Sequence, residues 1–296
     1  MDRLSELLPI GPPLKEAQQI GRHGAIDSLT DRLRSRHVVK MLEPRRVGKT
    51  SVARAALERI RLAGGAVAAV DLAKRTSSSD VAKDLADQLA GAVPRASRRA
   101  GGLVSSLRRS GAEGAIGEEG GLALRIAEEL LSGSASPAVV LERAAARATD
   151  RVTAVLLDEA HTLAAWPEHE RTALGSVLKN NSTLGVVVAS SERHALEQLT
   201  SADGPLRYVG TRFELPEIAQ EDWQAGLRER FAELGAPITT SALGLLLDQS
   251  HGHPYCTMLL AHESGRLGID VGEVSETVVQ AALVTVRRDE AWQDLR

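Results

Sequence analysis

One segment limits what this chain can fold into: Glu43-Pro44-Arg45-Arg46-Val47-Gly48-Lys49-Thr50-Ser51. It stands between a β-prone stretch, His37–Leu42, and a stretch from Lys49 to Leu62 whose Ala, Leu and Ile recur at helical spacing. A strand, a turn exposing consecutive backbone N–H groups and a helix whose N-terminus faces that turn together make an anion cradle. In such a cradle Lys49 reaches the β- and γ-phosphates, and the Thr50 hydroxyl serves Mg²⁺. Arg45, Arg46, Val47, Gly48 and Ser51 complete the loop. The pattern G-x-x-x-x-G-K-[ST] is broken only at its first position, where Glu43 replaces Gly. A side chain is tolerated there if φ stays negative, and Arg45 or Arg46 is at hand to neutralise the carboxylate.

A second segment strengthens the first. The apolar run Val152–Leu157 ends in Asp158-Glu159. A strand of that kind places both carboxylates at the C-terminal edge of a parallel sheet, where the phosphate loop also lies. Asp158 can then hold Mg²⁺ through water, and Glu159 can polarise an attacking water. A further apolar run, Leu184–Ala189, ends in Ser190-Ser191. These hydroxyls either orient the water or touch the γ-phosphate, or they cap the helix that follows.

Continuous apolar runs suit strands buried on both faces of a parallel sheet. Helical patterns separate them: Ser78 or Ser79 to about Ala92, Val139–Thr149 and Glu168–Asn180, with a strand at Ala66–Leu72. The alternation reads as an α/β fold. Residues 93–136 interrupt it with a Gly-, Ser- and Arg-rich insert, in which Glu113–Ile126 can form a hairpin turning at Glu118–Gly121. Beyond Pro216 only helical patterns remain: Ala219–Leu234, Thr239–Ser250, Pro254–Leu267 and Val274–Trp292. The expected domains are therefore a core, 1–216, and a helical portion, 217–296.

Composition excludes several functions. A net charge of -3 rules out a polybasic nucleic-acid coat. Aromatics at 2% leave too few rings for base-stacking platforms. The lone cysteine, Cys256, points to a reducing compartment and hence a cytoplasmic protein. No signal peptide or membrane span is expected. His251, His253, Cys256 and His262 match no common zinc spacing. Trp166, Trp223 and Trp292 read as packing anchors.

These residues resemble the AAA+ superfamily, near the bacterial and archaeal AAA-family ATPases of the STAND and origin-recognition clades. The likeness rests on Ile20-Gly21-Arg22, Pro44–Ser51, Leu157-Asp158-Glu159, Ser190-Ser191, Leu215-Pro216 and Gly252-His253-Pro254-Tyr255. It implies a P-loop NTPase αβα sandwich with parallel strand order 5-1-4-3-2 and a C-terminal helical lid. It implies ATP and Mg²⁺ as cofactors, with Ile20 and Gly21 near the adenine and Gly252 and Pro254 touching nucleotide. The usual lid arginine that senses γ-phosphate is absent, and His253 sits near that place. Arg207 and Arg212 lie where relatives carry an arginine that acts on a neighbouring subunit, so a homo-oligomer or a partner protein is implied.

Three readings of function follow. The main one is a Mg-ATP hydrolase whose lid closure drives a switch or an assembly. The alternative is a nucleotide-loaded scaffold on DNA with slow or no hydrolysis; Arg95, Arg98, Arg99, Arg108 and Arg109 of the insert would contact phosphates. The third, motivated by Glu43 and the missing lid arginine, is a protein that senses nucleotide without turnover.

Overall fold

The computed structural model describes residues 3–11, 13–90, 136–148, 151–202, 204 and 206–295. The hairpin expected in Glu113–Ile126 and the five insert arginines lie outside these residues. In chain order the elements are α1 (Arg3–Leu7), α2 (His23–Arg34), β1 (Val38–Met41), α3 (Lys49–Leu62), β2 (Ala66–Asp71) and α4 (Ser78–Ala90). Then come α5 (Pro137–Arg147), β3 (Thr153–Asp158), α6 (Glu168–Asn180), β4 (Leu184–Ala189), α7 (Arg193–Thr200) and β5 (Thr211–Arg212). The chain continues through α8 (Gln220–Glu233), α9 (Thr240–Ser250), α10 (Pro254–Val271), α11 (Glu276–Val286) and α12 (Glu290–Asp294). Among the described residues no helix is long and apolar enough to cross a membrane.

Two compact units interleave along the sequence. One, the sheet unit, comprises Leu29–Glu43 and Ala56–Glu214; the other, the helical unit, comprises Met1–Ser28, Pro44–Ala55 and Leu215–Arg296. All five strands of the sheet unit run parallel, in the order β2-β3-β4-β1-β5, which is 5-1-4-3-2 counted from the opposite edge. Every residue of β3 and β4 is buried, whereas β2 alternates buried and half-buried at the sheet's edge. The registers Met41↔Ala189 and Leu157↔Val188 bring the C-terminal ends of β1, β3 and β4 level. Leu85, Leu141, Leu174 and Leu199, from four helices, share one core with Val155, Leu157, Val186 and Val188 of the sheet. Burying such side chains stabilises the unit by about 1.5–3 kcal/mol apiece. Gly185 lies directly against the backbone of Leu33 in α2, an approach that leaves no room for a Cβ.

The helical unit closes around Phe231, Leu246, Leu260, Val279 and Trp292. The N-terminal helix joins this core, because Gly265 of α10 lets Leu4 and Leu8 pack against its backbone. Local chemistry explains several helix bounds. Ser136 caps α5 by accepting from Val139 N at 3.4 Å, with Pro137 in the first turn, so that helix starts two residues before Val139. Gly272, at φ 83°, ends α10 at Val271, past the expected Leu267.

One expectation fails here. Val274–Trp292 is not a single helix. Val274 forms a parallel bridge with Ile238, and α11 begins only after Ser275. The chain then leaves helical geometry at Asp289, whose carboxylate accepts from Trp292 N at 3.1 Å and starts α12. An aspartate offering its side chain to the backbone favours a cap over a helix interior.

Candidate functional site

In the helical unit the segment Pro44–Ser51 is tied to Arg22 and to the N-terminal arm. Arg46 (φ 65°) and Gly48 (φ 101°) take left-handed conformations, and Glu43 does not. A non-glycine residue in that region is costly and concentrates at ligand sites. Lys49, the first residue of α3, is 5% exposed, and its ammonium donates to the Pro44 carbonyl at 2.6 Å. The loop is braced by Arg22, a buried residue whose guanidinium donates to the carbonyls of Val47, at 2.9 Å, and Pro216. Ser51 is tied to the N-terminal arm: its hydroxyl accepts from Leu14 N at 3.0 Å and its carbonyl accepts from the Gln19 side chain at 3.0 Å. Gly21 (φ 64°) lies against Ile218 and Asp222 so closely that a Cβ would come 2.7 Å from Ile218 Cγ2. Ile20 packs on Gly226 of α8 in the same way.

The same unit carries the start of α10. Gly252 (φ 66°) and His253 precede Pro254, which occupies the first turn. The Arg46 guanidinium lies over the Tyr255 ring, 4.0 Å from its centroid. Neither ring nitrogen of His253 makes a hydrogen bond of acceptable geometry. Burial pulls the His253 pKa below its ordinary value; the Arg45 backbone opposes this, and the Arg46 charge adds to it. The imidazole is therefore neutral at pH 7. Trp223 is 3% exposed, with its indole N–H buried and unbonded, and a Cβ on Gly252 would stand 3.8 Å from that nitrogen.

In the sheet unit Asp158 closes β3 and is 5% exposed; its Oδ1 accepts from Glu159 N at 3.1 Å. Glu159 follows in a left-handed conformation, φ 53° and ψ 44°. Its Oε2 accepts from the Ser191 hydroxyl at 2.7 Å and from Ser191 N at 3.3 Å, and lies 3.3 Å from Nδ1 of His161. Ser190 is fully buried; its hydroxyl accepts from Glu192 N at 3.0 Å and lies 3.3 Å from His161 Nδ1. The other nitrogen of His161 is 3.5 Å from Glu192 Oε1. Neither serine caps α7, whose N-cap residue, Glu192, makes no side-chain cap bond. Arg207 and Arg212 are exposed near β5, and Arg212 pairs with Glu214 at 3.1 Å.

The helical unit thus brings together the loop, Ile20 and Gly21 on α8, and Gly252–Pro254 by the loop arginines. The sheet unit groups Asp158, Glu159, Ser190 and Ser191, with Arg207 and Arg212 apart from them near β5. His161 and Glu192 are candidates that residue patterns did not single out, and the contacts of Arg22 and Tyr255, two residues of the likeness, were not foreseen. For His161 the signal was its place two residues after Glu159. The donors suit the implied cofactors. Lys49 and the loop amides match a phosphate, and the Thr50 hydroxyl and Asp158 carboxylate are the hard oxygens that Mg²⁺ takes. Among the described residues no group of three or more His, Cys, Asp or Glu is arranged for a metal, and Mg²⁺ held largely by substrate oxygens and water needs none.

No family model matches the chain, and no curated protein matches it. Solved structures do. The Walker-type ATPase PABY2304 of Pyrococcus abyssi aligns with a TM-score of 0.65 at 15% identity, over 95% of this chain and 76% of its own. The RuvB Holliday junction branch migration motor of Thermotoga maritima aligns at 0.55 and 14% identity, over 97% of this chain and 74% of its own. The ORC1 protein of Aeropyrum pernix, solved in complex with DNA, aligns at 0.55 and 16% identity, over 98% of this chain and 72% of its own. At such identities the likeness is one of architecture. This chain has the fold of the AAA+ P-loop ATPases.

Proposed function

We propose that the protein binds ATP with Mg²⁺ and hydrolyses it, using the energy to drive a conformational switch or assembly with a partner. The observation that carries this reading is the loop: a left-handed turn at Arg46 and Gly48 that leaves β1 and opens α3 at Lys49. Supporting it, the end of β1 is level with the ends of β3 and β4, where Asp158 and Ser190 stand. In this reading the loop amides and Lys49 bind the polyphosphate. Thr50 and Asp158 hold the metal. When bound, Mg²⁺ neutralises charge on the β- and γ-oxygens. Glu159 orients the attacking water and accepts its proton, Ser191 holds its carboxylate, and Ser190 orients the water or touches the γ-phosphate. Ile20 and Gly21 flank the adenine, and Gly252, His253 and Pro254 meet the nucleotide from α10. Arg207 or Arg212 acts on the nucleotide of a neighbouring subunit; constant turnover per subunit on dilution, with both alanine variants active, would remove that role.

Titration with ATP and measurement of phosphate release test the reading. Lys49→Ala is expected to abolish binding. Glu159→Gln is expected to bind as the parent does and to lose about 10²–10⁴-fold in turnover. A parent that stays unliganded at millimolar ATP sinks the proposal. The alternative, a nucleotide-loaded scaffold on DNA, predicts rings or filaments on added DNA without a rise in turnover.

A further inference from the structure

The stack of Arg46 on Tyr255 joins the phosphate loop to the first turn of α10, and it is an unusual place for a cation. A helix N-terminus carries positive partial charge and ordinarily attracts anions. Here an arginine is held over the N-terminal turn of an 18-residue helix, with Arg45 next to it and the neutral His253 at the N-cap. Among the described residues the Arg46 side chain has no hydrogen bond or ion pair to offset its charge. The His253 pKa registers that charge, because Arg46 helps to depress it. The Arg46 guanidinium, exposed and bonded to no described acceptor, is available to an anionic ligand.

Stacking fixes a guanidinium without using its hydrogen bonds. A ring beneath the guanidinium leaves its N–H donors unspent, and a forked pair of them matches two phosphate oxygens. Arg46 is exposed and Tyr255 half-buried, so the ring is the anchored partner and the guanidinium edge is open. The left-handed backbone at Arg46 belongs to the same turn as Gly48, whose amides form the anion cradle.

We propose that Arg46, oriented by Tyr255, is the residue by which the site distinguishes a nucleoside triphosphate from a diphosphate. Arg46 donates its forked N–H pair to the terminal phosphate, and Tyr255 acts as a positioning residue that transmits this engagement to α10. The inference rests on the nucleotide-binding reading above and adds a specific reader of the last phosphate.

The test is a double-mutant cycle read by the dissociation constants of ATPγS and ADP, with Mg²⁺ present, by calorimetry. Arg46→Ala is expected to weaken ATPγS by roughly tenfold and leave ADP within about twofold, because a charge-assisted forked contact is lost only at the terminal phosphate. Alanine and arginine pay a similar backbone cost at a left-handed position, so the comparison isolates the side chain. Arg46→Lys keeps the charge and loses the fork, and should fall between. Tyr255→Phe should match the parent, and Tyr255→Ala should weaken ATPγS by about threefold. The double variant Arg46→Ala/Tyr255→Ala should be no worse than Arg46→Ala alone, the mark of a residue that acts through another. Equal losses for ADP and ATPγS, or additive effects of the two alanines, overturn the proposal. Those outcomes leave the nucleotide-binding reading intact, whereas a parent that binds neither ligand ends both.

Discussion

The Ser191 hydroxyl donates to Oε2 of Glu159 across 2.7 Å, joining the turn after β4 to the residue after β3. The same oxygen accepts from Ser191 N at 3.3 Å. A carboxylate bound twice by one residue is held in a single orientation, at a position whose own backbone is left-handed. If Glu159 orients water, that restraint belongs to catalysis more than to substrate binding. Ser191→Ala keeps the backbone donor and loses the hydroxyl. It is expected to lower kcat by about tenfold with KM unchanged, and Ser191→Thr to restore most of the loss. Steady-state ATPase kinetics decide it: a rise in KM at constant kcat would assign Ser191 to binding instead.

Arg22 braces the turn that precedes Lys49. Its guanidinium spans the carbonyls of Val47 and Pro216, and it is 5% exposed. Arg22→Ala would leave the carbonyls of half-buried Val47 and exposed Pro216 without that donor, and water can replace it at Pro216, so about 0.5–1.5 kcal/mol is lost per bond. Chemical denaturation should show a loss of about 1–3 kcal/mol, together with weaker nucleotide binding. Lysine carries the charge but not the fork, so Arg22→Lys should recover less than half of the stability. Parent-like stability of the alanine variant would show the brace to be dispensable.

What residue patterns reveal depends on whether the interaction is local. β3 and β4 are apolar along their whole length because both faces are covered, and α3 and α6 begin and end where spacing says they should. β5 is different. Its two residues, Thr211 and Arg212, are exposed and have no apolar face; they are a strand only because β1 offers backbone partners to them. Continuous apolar spacing likewise concealed the break at Asp289, since Val286 and Trp292 are both buried on either side of it. Lys49, Thr50, Asp158 and Glu159 can be proposed from residue order alone, because each lies where a strand ends or the next segment begins. The ties of Glu159 to Ser191 and of Arg46 to Tyr255 join segments far apart in sequence, and no periodicity encodes them.

Two glycines make opposite predictions from the same substitution. Gly185 in β4 faces the backbone of Leu33, which cannot yield as a side chain would. Gly185→Ala must push α2 away from the sheet and should cost about 1–3 kcal/mol. Gly244 in α9 is exposed, with nothing within 4 Å of an added Cβ. Gly244→Ala should stabilise by about 0.5–1 kcal/mol through helix propensity and a less flexible unfolded chain. Thermal melts of the two variants should therefore shift in opposite directions.

His253 ties stability to pH. Burial, with the Arg46 charge, lowers its pKa, against the pull of the Arg45 backbone, so the folded chain resists protonation that the unfolded chain accepts near the ordinary 6.5. As pH falls below about 6.5 the unfolded state takes up the proton first, and folding stability is lost until the folded imidazole titrates too. Above that window the group contributes nothing to the slope. His253→Gln keeps a polar side chain and cannot titrate, so its stability should fall less steeply than the parent's as pH drops below about 6.5. The other histidines are common to both proteins and cancel in the comparison. Urea unfolding at stepped pH measures the difference, and superimposable profiles would mean that the imidazole is as readily protonated in the folded protein as in the unfolded chain.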